Sequence, residues 1–196
     1  VVYLLVGSGF RRKGVPAAIA ALAQLAAPAH LLVVGDDRRL DTFQALARDH
    51  DVGDRVTFAG VQADVAPFYG AADAFVLPTI YDSFPDAAME ALAAGLPVVT
   101  STMSGAAELV TEYEAGFVCP SRDTAALAGH LQTLLDAGVR ARLSGNARAA
   151  VLPLTPAAMT LKLVLLYKEL LEASVARRGT ARSALAAAAP AAPVAA

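Results

Sequence analysis

Short apolar runs alternate with stretches of helical periodicity along most of this chain. Residues 1–6 (VVYLLV), 30–34 (HLLVV), 55–60 (RVTFAG), 74–78 (AFVLP) and 96–100 (LPVVT) read as strands with apolar residues on both faces. Helices are predicted between them. One opens at Pro16 and runs to about Ala26, with proline in its first turn. Leu40–His50 places Leu40, Phe43, Leu46 and Ala47 at helical spacing. Asp64 is expected to cap a short helix over Val65–Ala72, and Gly95 to stop another over Pro85–Ala94. Further helices follow at about 106–112, 123–137, 140–150 and 156–175. Buried strands alternating with helices predict an α/β fold, a doubly wound parallel sheet of the Rossmann-like type with a helical C-terminus. Ligands of such sheets lie beyond the carboxyl ends of the strands.

The C-terminal part differs. Helix 156–175 carries Met159, Leu163, Leu166, Leu170 and Leu171 on one side, with Lys162, Lys168, Arg177, Arg178 and Arg182 around and after it. The expected organisation is a Rossmann-like domain over 1–155, a C-terminal helix over 156–178 and an Ala/Pro-rich tail over 179–196.

Composition narrows the function classes. The 196 residues are 56% hydrophobic, enough for one domain with a large core. No apolar run approaches the roughly 20 residues of a membrane span. The first strand has no basic lead and no cleavage pattern, so it reads as a strand and not a signal peptide. The chain opens on a core strand with no initiator methionine, and is expected to be a fragment of a longer protein. A net charge of −2 with scattered basic residues argues against nucleic acid as the main partner. Cys119 is the single cysteine, which excludes an intrachain disulfide and a cysteine metal cluster and reads as a buried thiol. His30, His50 and His130 are too far apart in sequence for a zinc motif. Thirteen arginines against three lysines, with abundant alanine, point to a GC-rich bacterial coding sequence.

Four segments carry candidate chemistry, each after a predicted strand. Gly7–Val15 (GSGFRRKGV) joins glycines that allow close backbone approach to Arg11, Arg12 and Lys13, which can meet phosphate; it lacks the Walker spacing. Gly60-Val61-Gln62 ends the third strand. YDSFPDAAME holds Asp82 in a loop and Glu90 in the second turn of an otherwise small and apolar helix. Burying that carboxylate alone would cost several kcal/mol, so a cation, a hydroxyl pair or a ligand is expected at Glu90. Ser83 and Asp86 have capping-box spacing, and Pro85 suits a first turn. The same helix start offers free N–H groups to an anion. Ser104–Val110 (SGAAELV) follows the fifth strand and carries Glu108, which also suits the first turn of its helix.

The stretch DSFPDAAMEALAAGLPVVTS resembles the acidic motif of retaining glycosyltransferases of family 4, which have the two-domain GT-B fold. That motif is Glu, seven residues, Glu, followed by Ala-x-Gly-x-Pro-Val-Val. Asp82 stands at the first Glu and is one methylene shorter. Lys13-Gly14 matches the family Lys-Gly, while Ser8 takes the usual Arg position and Arg12 can supply the charge. The first loop looks like that of the lipopolysaccharide core glucosyltransferases, and the resemblance covers roughly residues 1–175.

It implies the following roles. Lys13 and Arg12 hold the donor diphosphate, with Gly7, Ser8 and Gly9 in the same loop. Asp82 contacts hydroxyls of the donor sugar and forms the catalytic group together with Lys13 and Arg12. Gly60 and Val61 meet uracil through the backbone. Ser83, Phe84, Pro85, Asp86 and Ala87 form the helix start at the donor, Glu90 binds the ribose hydroxyls, and Glu108 borders the sugar. No cofactor and no metal is expected. The implied donor is a UDP-sugar, UDP-glucose first. The implied acceptor is a saccharide or lipid-linked saccharide such as the lipopolysaccharide core, held through a missing N-terminal domain. The final helix is then expected either to cross to that domain or to pack on its own. The implied location is cytoplasmic, with peripheral association of the full-length protein at the inner membrane. Two alternatives stand beside this reading: a nucleotide-sugar epimerase of related fold, and a non-catalytic nucleotide-binding or interaction module.

Overall fold

In the computed structural model, the described residues are 1–187 for the backbone and 1–175 for side chains. Residues 188–196 of the expected tail lie outside them. The chain divides into two compact units, Val1–Leu152 and Pro153–Ala196.

In the first unit, β1 (Val2–Val6), β2 (His30–Val34), β3 (Val56–Gly60), β4 (Ala74–Leu77), β5 (Val98–Ser101) and β6 (Gly116–Cys119) form one sheet. All pairs are parallel, in the order β3-β2-β1-β4-β5-β6. The apolar runs are buried on both faces: Tyr3, Leu4, Leu5, Phe75, Val76, Leu77, Val98 and Val99 are all fully buried. That is why they read as continuous and not alternating. The helices are α1 (Phe10–Lys13), α2 (Val15–Leu22), α3 (Leu40–Asp49), α4 (Ala66–Ala71), α5 (Asp86–Ala93), α6 (Ala106–Glu112), α7 (Thr124–Thr133) and α8 (Ala137–Val151). α2 packs on α3 and α7, while α5 and α6 pack on α8. Consecutive strands run one way from β1 to β3 and the other way from β4 to β6, so the direction reverses between β1 and β4.

Several elements differ from expectation. β6 was not read from the sequence, because four residues at a sheet edge, three of them half-buried, are too few to show a period. The basic loop is partly helical: Gly14, at φ 84°, ends α1 and starts α2. A Cβ there would overlap the Pro78 carbonyl oxygen, so only glycine lets these segments touch. Asp64 is not the N-cap of α4: that place is Val65, which makes no side-chain cap bond, and Asp64, one residue before it, accepts from the Ala66 N–H at 2.9 Å through Oδ1. Gly95 stops α5 at φ 81°, as expected. In the second unit α9 runs from Pro156 to Ala187, past the expected end at 178. Met159, Leu163, Leu166, Leu170 and Leu171 on it are all exposed. No single helix among the described residues is long and apolar enough to cross a membrane.

Candidate functional site

The strand order reverses between β1 and β4, and the carboxyl ends of the strands at such a reversal are the usual ligand position in open parallel sheets. The turn after β1 is held from below. The Phe10 side chain is buried, 5.4 Å from Phe43 and 5.9 Å from Phe58 by ring centroids. Its N–H donates to Asp37 Oδ2 at 2.8 Å. The Gly9 N–H donates to the Asp36 carbonyl at 3.2 Å, and the Asp36 N–H to Ser8 Oγ at 3.4 Å. These bonds tie the glycine loop to the loop after β2 and direct α1 across the strand ends.

The segment after β4 is tied to α1 in turn. Buried Thr79 donates its hydroxyl to the Arg12 carbonyl at 2.9 Å, and the Ile80 N–H donates to the same oxygen at 2.8 Å. Asp82 is thereby brought to the basic pair. Lys13 Nζ lies 2.7 Å from Asp82 Oδ2, and Arg12 Nη1 lies 3.1 Å from the same oxygen. Arg12 also donates to the Tyr81 carbonyl at 3.1 Å. The Lys13 and Asp82 side chains are 12% and 13% exposed and the Arg12 side chain 52%, so the cluster has one screened and one open cation. The loop after β5 joins by backbone: Asp82 N–H donates to the Met103 carbonyl at 3.1 Å and Gly105 N–H to the Asp82 carbonyl at 3.0 Å. A Cβ at Gly105 would overlap the Ser83 carbonyl oxygen, so this approach also requires glycine.

The expected capping box does not form. Pro85 is itself the N-cap of α5, in an extended conformation, and no side chain accepts from the first turn. Ser83 lies two residues outside the helix, and both it and Asp86 are exposed. The Pro85 carbonyl accepts from Ala88 and Met89, and the Asp86 and Ala87 N–H groups have no acceptor among the described residues. Those two donors are the ordinary orphans of a helix start.

Glu90 also differs from expectation. It is exposed, not buried, because its face of α5 points off the sheet toward α4. Its partner is a single hydroxyl and not a cation: the Tyr69 hydroxyl lies 2.7 Å from Glu90 Oε2 and 3.1 Å from the Ala87 carbonyl. Burial first, then the adjacent Glu90 carboxylate, pushes the Tyr69 phenol well above its ordinary value, so it remains a donor across the working range. Gly60, at φ 70°, accepts from the Gly35 N–H at 2.9 Å, and Val61 projects into solvent. Glu108 is exposed in the first turn of α6.

Arg12, Lys13 and Asp82 are thus in direct contact. Glu90 pairs instead with Tyr69, and Gly60, Val61 and Glu108 occupy other strand ends without touching the ion cluster. Tyr69, Thr79, Asp36 and Asp37 were missed by the sequence reading. Each acts through a partner distant in sequence, and only Asp36-Asp37 after a strand-ending glycine carried a local sign.

A family model described as "Glycosyl transferases group 1" matches residues 1–150. Among similar proteins, glycogen synthase of Mycobacterium tuberculosis H37Rv is 37% identical over 138 residues, 68% of this chain and 33% of that protein. Lipopolysaccharide glucosyltransferase WaaG of Escherichia coli K12 is 37% identical over 119 residues, 59% of this chain and 32% of that protein. Among solved structures, sucrose-phosphate synthase of Thermosynechococcus elongatus superposes with a TM-score of 0.77 at 35% identity, over 88% of this chain and 46% of that one. The chain therefore spans a third to a half of the length of these relatives.

Proposed function

Since this chain belongs to the glycosyl transferases group 1 family, we propose that it is the C-terminal, donor-binding half of a retaining GT-B glycosyltransferase of family 4. The donor is a UDP-hexose, UDP-glucose first, and the acceptor is a saccharide of the lipopolysaccharide core type presented by the other half. Two things support glucose and this acceptor: the similarity to a lipopolysaccharide glucosyltransferase and the first-loop sequence. The cytoplasmic face of the inner membrane is the matching location.

The observation that carries the reading is the Arg12–Lys13–Asp82 cluster at the reversal point of the sheet, beside an α5 start with two free N–H groups. Transfer breaks the bond between the sugar and the diphosphate and forms a bond to an acceptor oxygen; the diphosphate leaves with added negative charge. Preorganised cations and N–H groups stabilise that charge. Lys13, Arg12 and the Asp86 and Ala87 amides would supply them. Asp82 holds the cations in place through its ion pairs and would share them with the phosphate and sugar of the donor. Glu90, fixed by Tyr69, would take the ribose hydroxyls, and Gly60-Val61 the base.

Calorimetric titration of the chain with UDP and uridine, before and after Lys13→Ala, tests this. UDP is expected to bind at about 0.1–1 mM. Lys13→Ala should weaken UDP about tenfold or more, by the worth of a charge-assisted hydrogen bond, and leave uridine unchanged. Equal losses for both ligands would overturn the diphosphate assignment.

A further inference from the structure

A cavity of about 410 Å³ lies apart from the ion cluster, and neither Arg12, Lys13 nor Asp82 lines it. Its cations are Arg11 of α1 and Arg122 of the turn between β6 and α7, and His50 also lines it. Ala17, Leu46 and Ile80 supply an apolar floor. No carboxylate lines it. Asp123, next to Arg122, is engaged in capping α7, its Oδ1 2.9 Å from the Ala126 N–H. Asp49 lies in an adjoining depression with Arg39, where Arg11 forms the shared wall. Neither the Arg11 nor the Arg122 guanidinium has an ion-pair or hydrogen-bond partner among the described residues.

Arg122 is also held at φ 71°, a left-handed conformation that disfavours an arginine. Strain of this kind collects at ligand sites. Arg11 and Arg122 are both exposed residues lining this cavity, and two unpaired guanidinium forks are the donors a dianionic phosphate takes. The volume is at the low end for small-molecule pockets, about 300–1,000 Å³, and suits a sugar-sized body on the apolar floor. We infer that this cavity binds the phosphate monoester of a sugar-sized molecule, at a site separate from the donor crevice. A free sugar phosphate and a phosphorylated saccharide acceptor present the same group.

The inference does not rest on the donor reading, because the sugar-phosphate probes below contain no nucleotide. Amide NMR of the full chain, with glucose 6-phosphate, a phosphorylated trisaccharide, glucose and inorganic phosphate as separate probes, tests it. Saturable shifts at Arg11, His50 and Arg122 are expected with either phosphorylated sugar, and the tighter of the two identifies the source. Arg122→Gly keeps the backbone conformation and should weaken binding about tenfold or more. Arg11→Ala should do the same. Excess UDP should leave the affinity unchanged. Absence of saturable shifts, equal binding of inorganic phosphate, indifference to Arg122→Gly, or displacement by UDP would each overturn the inference.

Discussion

Asp82→Asn separates the counter-ion role of Asp82 from a purely ligand-binding one. The substitution is nearly isosteric, and the backbone bonds of residue 82 to Met103 and Gly105 do not involve the side chain. Two opposing effects follow. Stability falls, because Lys13 is only 12% exposed and loses its carboxylate at 2.7 Å. The cost lies between that of an exposed pair and that of a buried one, about 1–2 kcal/mol, since Arg12 is half in solvent and the asparagine oxygen still accepts. For a chain of this size that lowers Tm by about 2–8 °C.

UDP affinity rises. A phosphate in contact with Lys13 Nζ would place its charge about 5–6 Å from the Asp82 carboxylate. Over the range of effective dielectric constants from about 20 to 80, removing that repulsion is worth about 1–3 kcal/mol. UDP should therefore bind about fivefold or more tightly, while uridine stays unchanged. UDP-glucose should gain less than UDP, because the sugar loses a charged acceptor. Calorimetry of wild type and variant with the three ligands, alongside thermal unfolding, reads all of these. A folded variant that binds UDP no better than wild type would refute the idea that Asp82 and the diphosphate share Lys13.

Glu90→Gln should lower UDP affinity about tenfold or more with little change in the unfolding midpoint, since Glu90 is exposed; unfolding of the variant with normal UDP binding after refolding would make Glu90 structural. Tyr69→Phe removes the hydroxyl at 2.7 Å from Glu90 and should cost about 0.5–1.5 kcal/mol in UDP binding; an unchanged Kd would mean Glu90 needs no support. Gly14→Ala forces a side chain at φ 84° onto the Pro78 carbonyl, and should destabilise by about 2–5 kcal/mol in urea unfolding; an unshifted midpoint would contradict the packing of α1 on the β4 loop. Burial, with a smaller contribution from Asp123, raises the Cys119 thiol above its ordinary value. The thiolate fraction at a given pH is therefore lower than in the unfolded chain, and an aromatic disulfide reagent at mildly alkaline pH should react slowly with native protein and fully in urea.

The sequence by itself determined the fold class and the positions of five strands, because a two-face-buried strand must be apolar throughout, and that leaves a local mark. It also determined where chemistry could lie. Lys13 and Glu90 stood out because a charge beside glycine, or within a small apolar helix, needs no partner to be visible, and Asp82 because it stands eight residues before Glu90 in the acidic motif. Gly95 was legible for the same reason, since a helix stop involves neighbours in the chain.

The tertiary structure decided what those groups face. Lys13 and Asp82 are 69 residues apart, and Tyr69 and Glu90 are 21 apart. Their meeting follows from β4 lying beside β1 and from α4 and α5 sharing one face. The same folding moved Glu90 to the surface and left Ser83 outside the helix that its spacing had seemed to cap. It also gathered Arg11, His50 and Arg122 around one cavity. Periodicity and charge are properties of adjacent residues; hydrogen-bond and ion-pair partners depend on the spatial order of the strands, which a one-dimensional pattern does not contain.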